Sequence, residues 1–297
     1  MIYTLTLNPA LDYVLAVDTL TWGGTNRARA GRIYFGGKGI NVATVLGQLG
    51  LESVCLGLIA GFTGDALEQA LRRRGMATDF VRLPQGDTRI NVKLKGEAET
   101  ELNAPGPAVT AEDMEALYQK LEQLNSGDTL VLSGSLPPSL PKTVYADILA
   151  RWSGRGVRFV VDAAGELLTN TLPYRPFLIK PNRAELEELC GHELDSDDAL
   201  AQAAQDLQNQ GARNVLVSLG PDGALLLDEG GQLHRRAAHP GVAVNTVGAG
   251  DAMVAGFLAG ADRGPDYALD LAVAAGCATA FSPDLATAPE IQALFPG

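Results

Sequence analysis

The sequence is poor in cysteine: three in 297 residues, Cys55, Cys190 and Cys277, far apart along the chain. They have neither the density of a disulfide framework nor metal-ligand spacing, and they read as small core hydrophobes of a protein from a reducing cytoplasm. The three histidines, His192, His234 and His239, form no HxxxH or HExxH pattern, so they read as ordinary polar or partly buried residues rather than metal ligands. No apolar run approaches the roughly 20 residues of a membrane span. Residues 1–7 carry no basic n-region, so no secretory leader is expected. Positive charge is scarce too: 23 Lys and Arg stand against 35 Asp and Glu, a formal charge of −12. Without a global positive field, nonspecific binding to nucleic acid or an anionic membrane is disfavoured. A phosphate ligand needs only a local cluster of donors and stays open.

What is present is ordinary globular material, 46% apolar and 20% charged, long enough for one large α/β domain or two modest ones. Residues 2–7 alternate as a strand, which Asn8-Pro9 breaks. Val42, Val45, Leu46 and Leu49 recur at helical spacing, predicting a helix over 39–49. A buried strand over 53–59 and a helix over about 64–74 follow. Thr110 and Asp113 suggest a capping box opening a helix to about 124. Strands are expected at 129–132, 157–161, 177–179, 214–218 and 223–227. Helices are expected over 141–152 and from Asn182, and two more close the chain from about Ala249 and Pro265. This alternation predicts a mostly parallel sheet covered on both faces. Segments 13–35 and 88–104 break the rhythm with strand-like stretches and no helix between. They fit a small antiparallel sheet projecting as a lid, or hairpins lying on the surface.

Three glycine-rich or capping elements bear on chemistry. Gly248-Ala249-Gly250-Asp251 precedes the apolar helical run 253–258. Small residues permit a tight turn, and a helix start there offers unpaired N–H donors and a positive dipole end to an anion. An aspartate in the same turn could take a proton from a hydroxyl; equally, it could be a dipole partner at a glycine-rich helix start. Gly36-Gly37-Lys38-Gly39-Ile40-Asn41 opens another helix with donors at Lys38 and Asn41, but no Ser or Thr follows the lysine, so it is no Walker loop. Met253 stands where a dinucleotide fingerprint needs its third glycine, which disfavours an NAD dehydrogenase. In Lys180-Pro181-Asn182-Arg183-Ala184-Glu185, Asn182 and Glu185 match a capping-box spacing, or they hold a hydrated Mg²⁺.

In this order the elements resemble the ribokinase and phosphofructokinase-B family of sugar kinases. The resemblance spans nearly the whole chain: Asn8-Pro9-Ala10-Leu11-Asp12, 36–41, Ser133-Gly134-Ser135-Leu136-Pro137, 180–185, Ser218-Leu219-Gly220-Pro221-Asp222-Gly223 and 247–252. It implies one α/β domain over 1–297, a ribokinase-like three-layer sandwich with a mostly parallel central sheet and a small β-sheet lid closing over the sugar. It implies Asp251 as general base in the catalytic turn from Gly248, with the amides of Ala249, Gly250 and Asp251 giving the anion hole. It implies Asp12, Gly36, Gly37 and Asn41 at the sugar hydroxyls. Lys180, Ser218, Gly220, Gly223 and Val247 would lie near ATP, with Asn182 and Glu185 near its Mg²⁺.

Arg27, Lys38 and Arg89 occupy positions similar to those that hold a substrate phosphate in the family, with Ser135 as a hydroxyl donor; Arg27 could equally be a solvated surface residue. Segments 4–13, 88–93 and 101–107 look most like the family's fructose-1-phosphate kinases, with tagatose-6-phosphate kinases next. A non-catalytic sugar-phosphate sensor on the same fold is the remaining alternative, which retention of Asp251, Asn182 and Glu185 argues against. Asn245 stands where many relatives carry Asp, so the potassium site associated with that carboxylate is not implied here. An apolar outer face on the lid would favour a homodimer, although Ile33, Tyr34 and Phe35 could instead pack beneath it.

Overall fold

The computed structural model describes residues 1–96 and 99–295. Glu97 and Ala98, inside the second expected lid segment, and the last two residues lie outside that description. The chain runs β1 (Ile2–Thr6), β2 (Ala10–Ala16), β3 (Ala30–Gly36), α1 (Lys38–Gln48), β4 (Ser53–Ala60), α2 (Gly61–Arg73), β5 (Ala77–Thr78), β6 (Val81–Leu83), β7 (Arg89–Lys95) and β8 (Glu99–Leu102). It continues through α3 (Ala111–Leu121), β9 (Thr129–Ser133), α4 (Val144–Trp152), β10 (Arg158–Asp162), α5 (Gly165–Thr169), β11 (Leu178–Ile179), α6 (Arg183–Cys190) and α7 (Asp197–Asn209). The last elements are β12 (Asn214–Ser218), β13 (Ala224–Leu227), β14 (Leu233–Arg236), α8 (Ala249–Gly260), α9 (Pro265–Phe281) and α10 (Ala288–Leu294).

Ten strands form the main sheet in the order β14-β13-β12-β11-β10-β9-β1-β4-β5, with β6 beside β4. Neighbours from β12 through β5 run parallel, and β13 and β14 turn back antiparallel at one edge. Successive residues of a strand point to opposite faces, so one strand feeds two cores. Leu130 and Leu132 join the cluster with Leu117 of α3, Ile148 of α4 and Ala203 of α7. Val131 between them joins Val42 of α1, Val254 of α8 and Ala272 of α9. The result is the expected three-layer sandwich. α8 and α9 are apolar nearly all round because each is buried between sheet and neighbouring helices. Their backbones meet closely at Gly256, where a Cβ would lie 2.5 Å from Leu271 O.

The four remaining strands make a separate sheet in the order β3-β2-β7-β8. It was expected to be antiparallel from residue 13; instead it starts at Ala10 and is mixed, because β2 and β7 pair parallel with Asp12 opposite Asn91. The chain between them, β3 to β6, is the long crossover that parallel neighbours require. One face carries Leu11, Tyr13, Ile33, Ile90 and Val92, the other Asp12, Asn91, Lys93 and Glu101. The polar face is the covered one: Lys93 is 7% exposed and Ile33 47%. Elsewhere, the chain closes on three helices rather than two, α10 being opened by a Thr287–Glu290 capping box. Of the cysteines, only Cys55 is buried; Cys190 and Cys277 are half-buried, and all three are free.

Candidate active site

In an open α/β sheet, ligands collect beyond the carboxyl ends of the strands where the strand order reverses. Here that point is β1, flanked by β4 on one side and β9 on the other. A cavity of about 490 Å³ opens there, between the sheet and the polar face of the lid. The residues just after β1, β9, β11 and β12 reach it with Asn8, Ser135, Lys180 and the terminal Ser218 respectively. Thr6 Oγ1 and Asn8 Oδ1 are buried there without hydrogen-bond partners among the described residues, as groups awaiting a polar ligand would be.

The Gly248–Asp251 turn forms one wall. Gly248 caps α8 in the left-handed conformation, φ 83°, and a Cβ on it would strike Leu285 Cδ2 at 2.5 Å. No side chain caps the helix start, which leaves N–H donors for an anion. The Ala249 amide, expected in the anion hole, donates instead to Thr246 O at 3.2 Å. Gly250 and Asp251 have no backbone acceptor outside the helix among the described residues. Asp251 is 5% exposed, and Asn41 Nδ2 donates to its Oδ2 at 2.8 Å. Asn41, expected at a sugar hydroxyl, thus orients the aspartate. Burial first, and then the negative charge of Asp162, push the Asp251 carboxyl up to about 7, against the pull of Lys38, Asn41 and Lys180.

Asp162 was missed in the sequence. It ends β10, fully buried, with Lys38 Nζ at 3.3 Å and Lys180 Nζ at 3.2 Å from its Oδ1. Burial raises its pKa, but the two ammonium groups outweigh that and hold it below the usual carboxylate range. Lys38 is raised in turn: burial pulls it down, while Asp162, Asp251 and Glu185 prevail. The available signal was position, a lone acid closing the apolar strand Phe159-Val160-Val161.

Arg89, at the start of β7, sends its Nη2 to Ser135 Oγ at 3.3 Å and its Nη1 to Ala104 O at 3.4 Å. Both contacts are long, and its Nε is buried without a partner among the described residues. Burial pulls its pKa down. Beside it on the lid, Asn91 donates to Asp12 Oδ1 at 2.9 Å, and Lys93 bridges Asp12 at 3.5 Å and Glu101 at 3.3 Å. Asn91, Lys93 and Glu101 were not singled out in the sequence, where the alternation of β7 gave no sign which face is covered. Gly37, Lys38 and Asn41 line the cavity. Gly36 lines an adjoining cleft with Tyr34 and Phe35. Arg27 sits in the exposed β2–β3 connection, away from the lining.

A second cavity, about 660 Å³, shares Asn182, Ser218 and Gly250 with the first. Gly220, Gly223, Ala249, Met253, Val273 and Phe281 make it largely apolar. Val247, expected near a nucleotide, lines the first cavity instead. Asn182 and Glu185 close a capping box, each backbone N–H donating to the other's side chain at 2.8 Å. Among the described residues no three His, Cys, Asp or Glu side chains group as metal ligands. Glu185 keeps one carboxylate oxygen outside the box, a donor set that fits a Mg²⁺ retaining most of its waters. Asn245 bonds locally, its Oδ1 accepting from the Val247 amide at 3.3 Å.

The profile of the pfkB family carbohydrate kinases matches residues 6–291. A 1-phosphofructokinase of Bacillus subtilis is 42% identical over 298 residues, covering 100% of this chain and 98% of its own. A D-tagatose-1-phosphate kinase of Bacillus licheniformis is 36% identical over 288 residues, covering 96% of this chain and 94% of its own. Among solved structures, Escherichia coli phosphofructokinase-2 in complex with substrates and products is similar with a TM-score of 0.93 at 31% identity, over 99% of this chain and 98% of that one.

Proposed function

The chain belongs to the pfkB family of carbohydrate kinases, and we propose that its reaction is transfer of the ATP γ-phosphoryl to the 6-hydroxyl of fructose 1-phosphate, giving fructose 1,6-bisphosphate and ADP. One observation carries this reading: the turn that holds Asp251 forms a wall common to two cavities. The cavity on one side is lined by cations and hydrogen-bonding groups, and that on the other by apolar side chains. A sugar phosphate suits the first and a nucleotide base the second, so their reacting ends meet at Gly250 and Asp251.

The chemistry follows from these positions. Arg89, with Ser135 beside it, offers charge and donors to a phosphate on the sugar through a planar fork that can bond two oxygens at once. With the phosphate held at one end, the hydroxyl at the far end of the sugar reaches Asp251. Asp251 accepts the hydroxyl proton, with a pKa near working pH as an effective base requires. The sugar oxygen forms its bond to the γ-phosphorus as the bond to the β,γ-bridging oxygen breaks. The amides of Gly250 and Asp251, with Lys38 and Lys180, face the charge that develops. Held near Asn182 and Glu185, Mg²⁺ would neutralise part of the charge on the phosphate chain. Lowering the lid's polar face excludes water, the competing acceptor.

The relative named for tagatose is a 1-phosphate kinase, which supports tagatose 1-phosphate, rather than tagatose 6-phosphate, as the second acceptor to measure. The apolar outer face of the lid, with Tyr13, Ile33, Ile90 and Leu102 exposed, supports a homodimer formed through it. ADP release measured across fructose 1-phosphate, tagatose 1-phosphate, fructose 6-phosphate and ribose tests the assignment. Fructose 1-phosphate is expected to give the highest kcat/KM. A higher value with fructose 6-phosphate or ribose would reject it.

A further inference from the structure

Asp162 is an unusual residue to bury. Its side chain is 1% exposed, both ammonium contacts fall on Oδ1, and Oδ2 has no hydrogen-bond partner among the described residues. Removing a carboxylate from water costs several kcal/mol, which close pairing can offset. The pairing joins elements distant in the chain: Lys38 begins α1, and Lys180 follows β11. Lys180 is itself buried and lies on the anion-binding turn, since a Cβ added to Gly250 would sit 3.1 Å from its Nζ. Without a carboxylate between them, the two lysines are like charges converging on one site, and they would repel.

We propose that Asp162 is a positioning residue for phosphoryl transfer, drawing Lys38 and Lys180 together beneath the Gly250–Asp251 turn so that both ammonium groups face the transferring phosphate. The inference rests on the reading of Asp251 as the base. It also assigns Asp162 a second effect on that base. The charged and polar groups facing Asp251 are Lys38 and Asn41 from α1, Asp162 from β10 and Lys180 from the segment after β11. Of these only Asp162 opposes ionisation of Asp251. Its removal therefore lets Asp251 ionise at lower pH, while the misplaced lysines slow the transfer.

The test is kcat and kcat/KM against pH for the wild type, Asp162→Asn and Asp251→Asn. Asp162→Asn is expected to lower kcat by about the 10²-fold that small misplacements cost, and to shift the acid limb to lower pH. General loosening of the fold would hydrate Asp251 and lower the limb too. Gly256→Ala, which loosens α8 and α9 without changing a charge, is therefore the control, and its limb is expected to stay at the wild-type position. If Asp162→Asn fails to fold, Asp162→Asn/Lys180→Met removes the repulsion. Its kcat should then match that of Lys180→Met alone, because Asp162 acts through the lysines it holds, and a large further loss overturns the proposal. An unmoved or raised limb, or wild-type kcat in Asp162→Asn, overturns the proposal. If Asp251→Asn turns over normally, or the wild type has no acid limb, the base assignment fails and this inference with it. An inactive Asp251→Asn with an unmoved Asp162→Asn limb defeats the inference alone.

Discussion

Replacing Arg89 by alanine separates the sugar-phosphate end of the site from the nucleotide end. Among the described residues the guanidinium makes two long contacts, at 3.3 and 3.4 Å, and its Nε makes none. Deleting it therefore sacrifices little of the fold, and its hydrogen-bonding capacity is free for a ligand. A hydrogen bond to a charged group contributes about 1.5–3 kcal/mol net. Two such bonds to a phosphate, less the weak contacts given up, leave about 2–4 kcal/mol. At 1.4 kcal/mol per factor of ten, that is a rise of about 30- to 700-fold in the sugar-phosphate KM. The ATP KM should move by no more than about threefold, because Arg89 does not line the second cavity. Arg89→Lys keeps the charge without the fork and should fall between. The assay is coupled ADP release with each substrate varied at saturation of the other. Equal increases in both KM values, or an unchanged sugar-phosphate KM, would refute the reasoning.

Two further outcomes concern stability. In Gly256→Ala the new Cβ meets backbone atoms, Leu271 O at 2.5 Å and Ala272 Cα at 2.8 Å. α8 and α9 must then part, at a cost of about 1–3 kcal/mol, and an unchanged melting temperature would contradict that close packing. His234 is buried with Asp228 Oδ2 2.9 Å from Nε2 and Asp266 Oδ1 3.1 Å from Nδ1. Burial pulls its pKa down, but the two carboxylates outweigh it and the net shift is upward. Its contribution is thus fully present below the ordinary histidine value of about 6.5 and lost as pH rises through the higher folded value. Denaturant midpoints of the wild type should fall relative to His234→Gln as pH rises above the ordinary histidine value of about 6.5; parallel profiles would contradict the clamp.

The sandwich was legible because its signals are local. Apolar alternation marks the strands, and the boxes at Thr110–Asp113 and Asn182–Glu185 form as their spacing predicts. β14 escaped because Leu233-His234-Arg235-Arg236 has one apolar residue; its strand form comes from pairing with β13 and from the buried histidine. Parallel pairing of β2 with β7 is a long-range choice that neither strand encodes alone. The candidate site divides the same way. Asp251, Lys38 and Arg89 belong to short motifs, whereas Asp162 acquires its place only when β10, α1 and β11 converge. Asn182 and Glu185 posed a choice between cap and metal site; the cap forms, and one Glu185 oxygen remains outside it.

Pre-steady-state turnover of Asp251→Asn with fructose 1-phosphate, alongside ATP binding by the same variant, tests the central claim most directly. With the base removed, the rate should fall by at least about 10²-fold while ATP affinity holds. The wild-type rate should climb with pH as Asp251 ionises, around its value of about 7. Near-wild-type turnover in Asp251→Asn would contradict the account, because a carboxamide in that turn cannot take the hydroxyl proton.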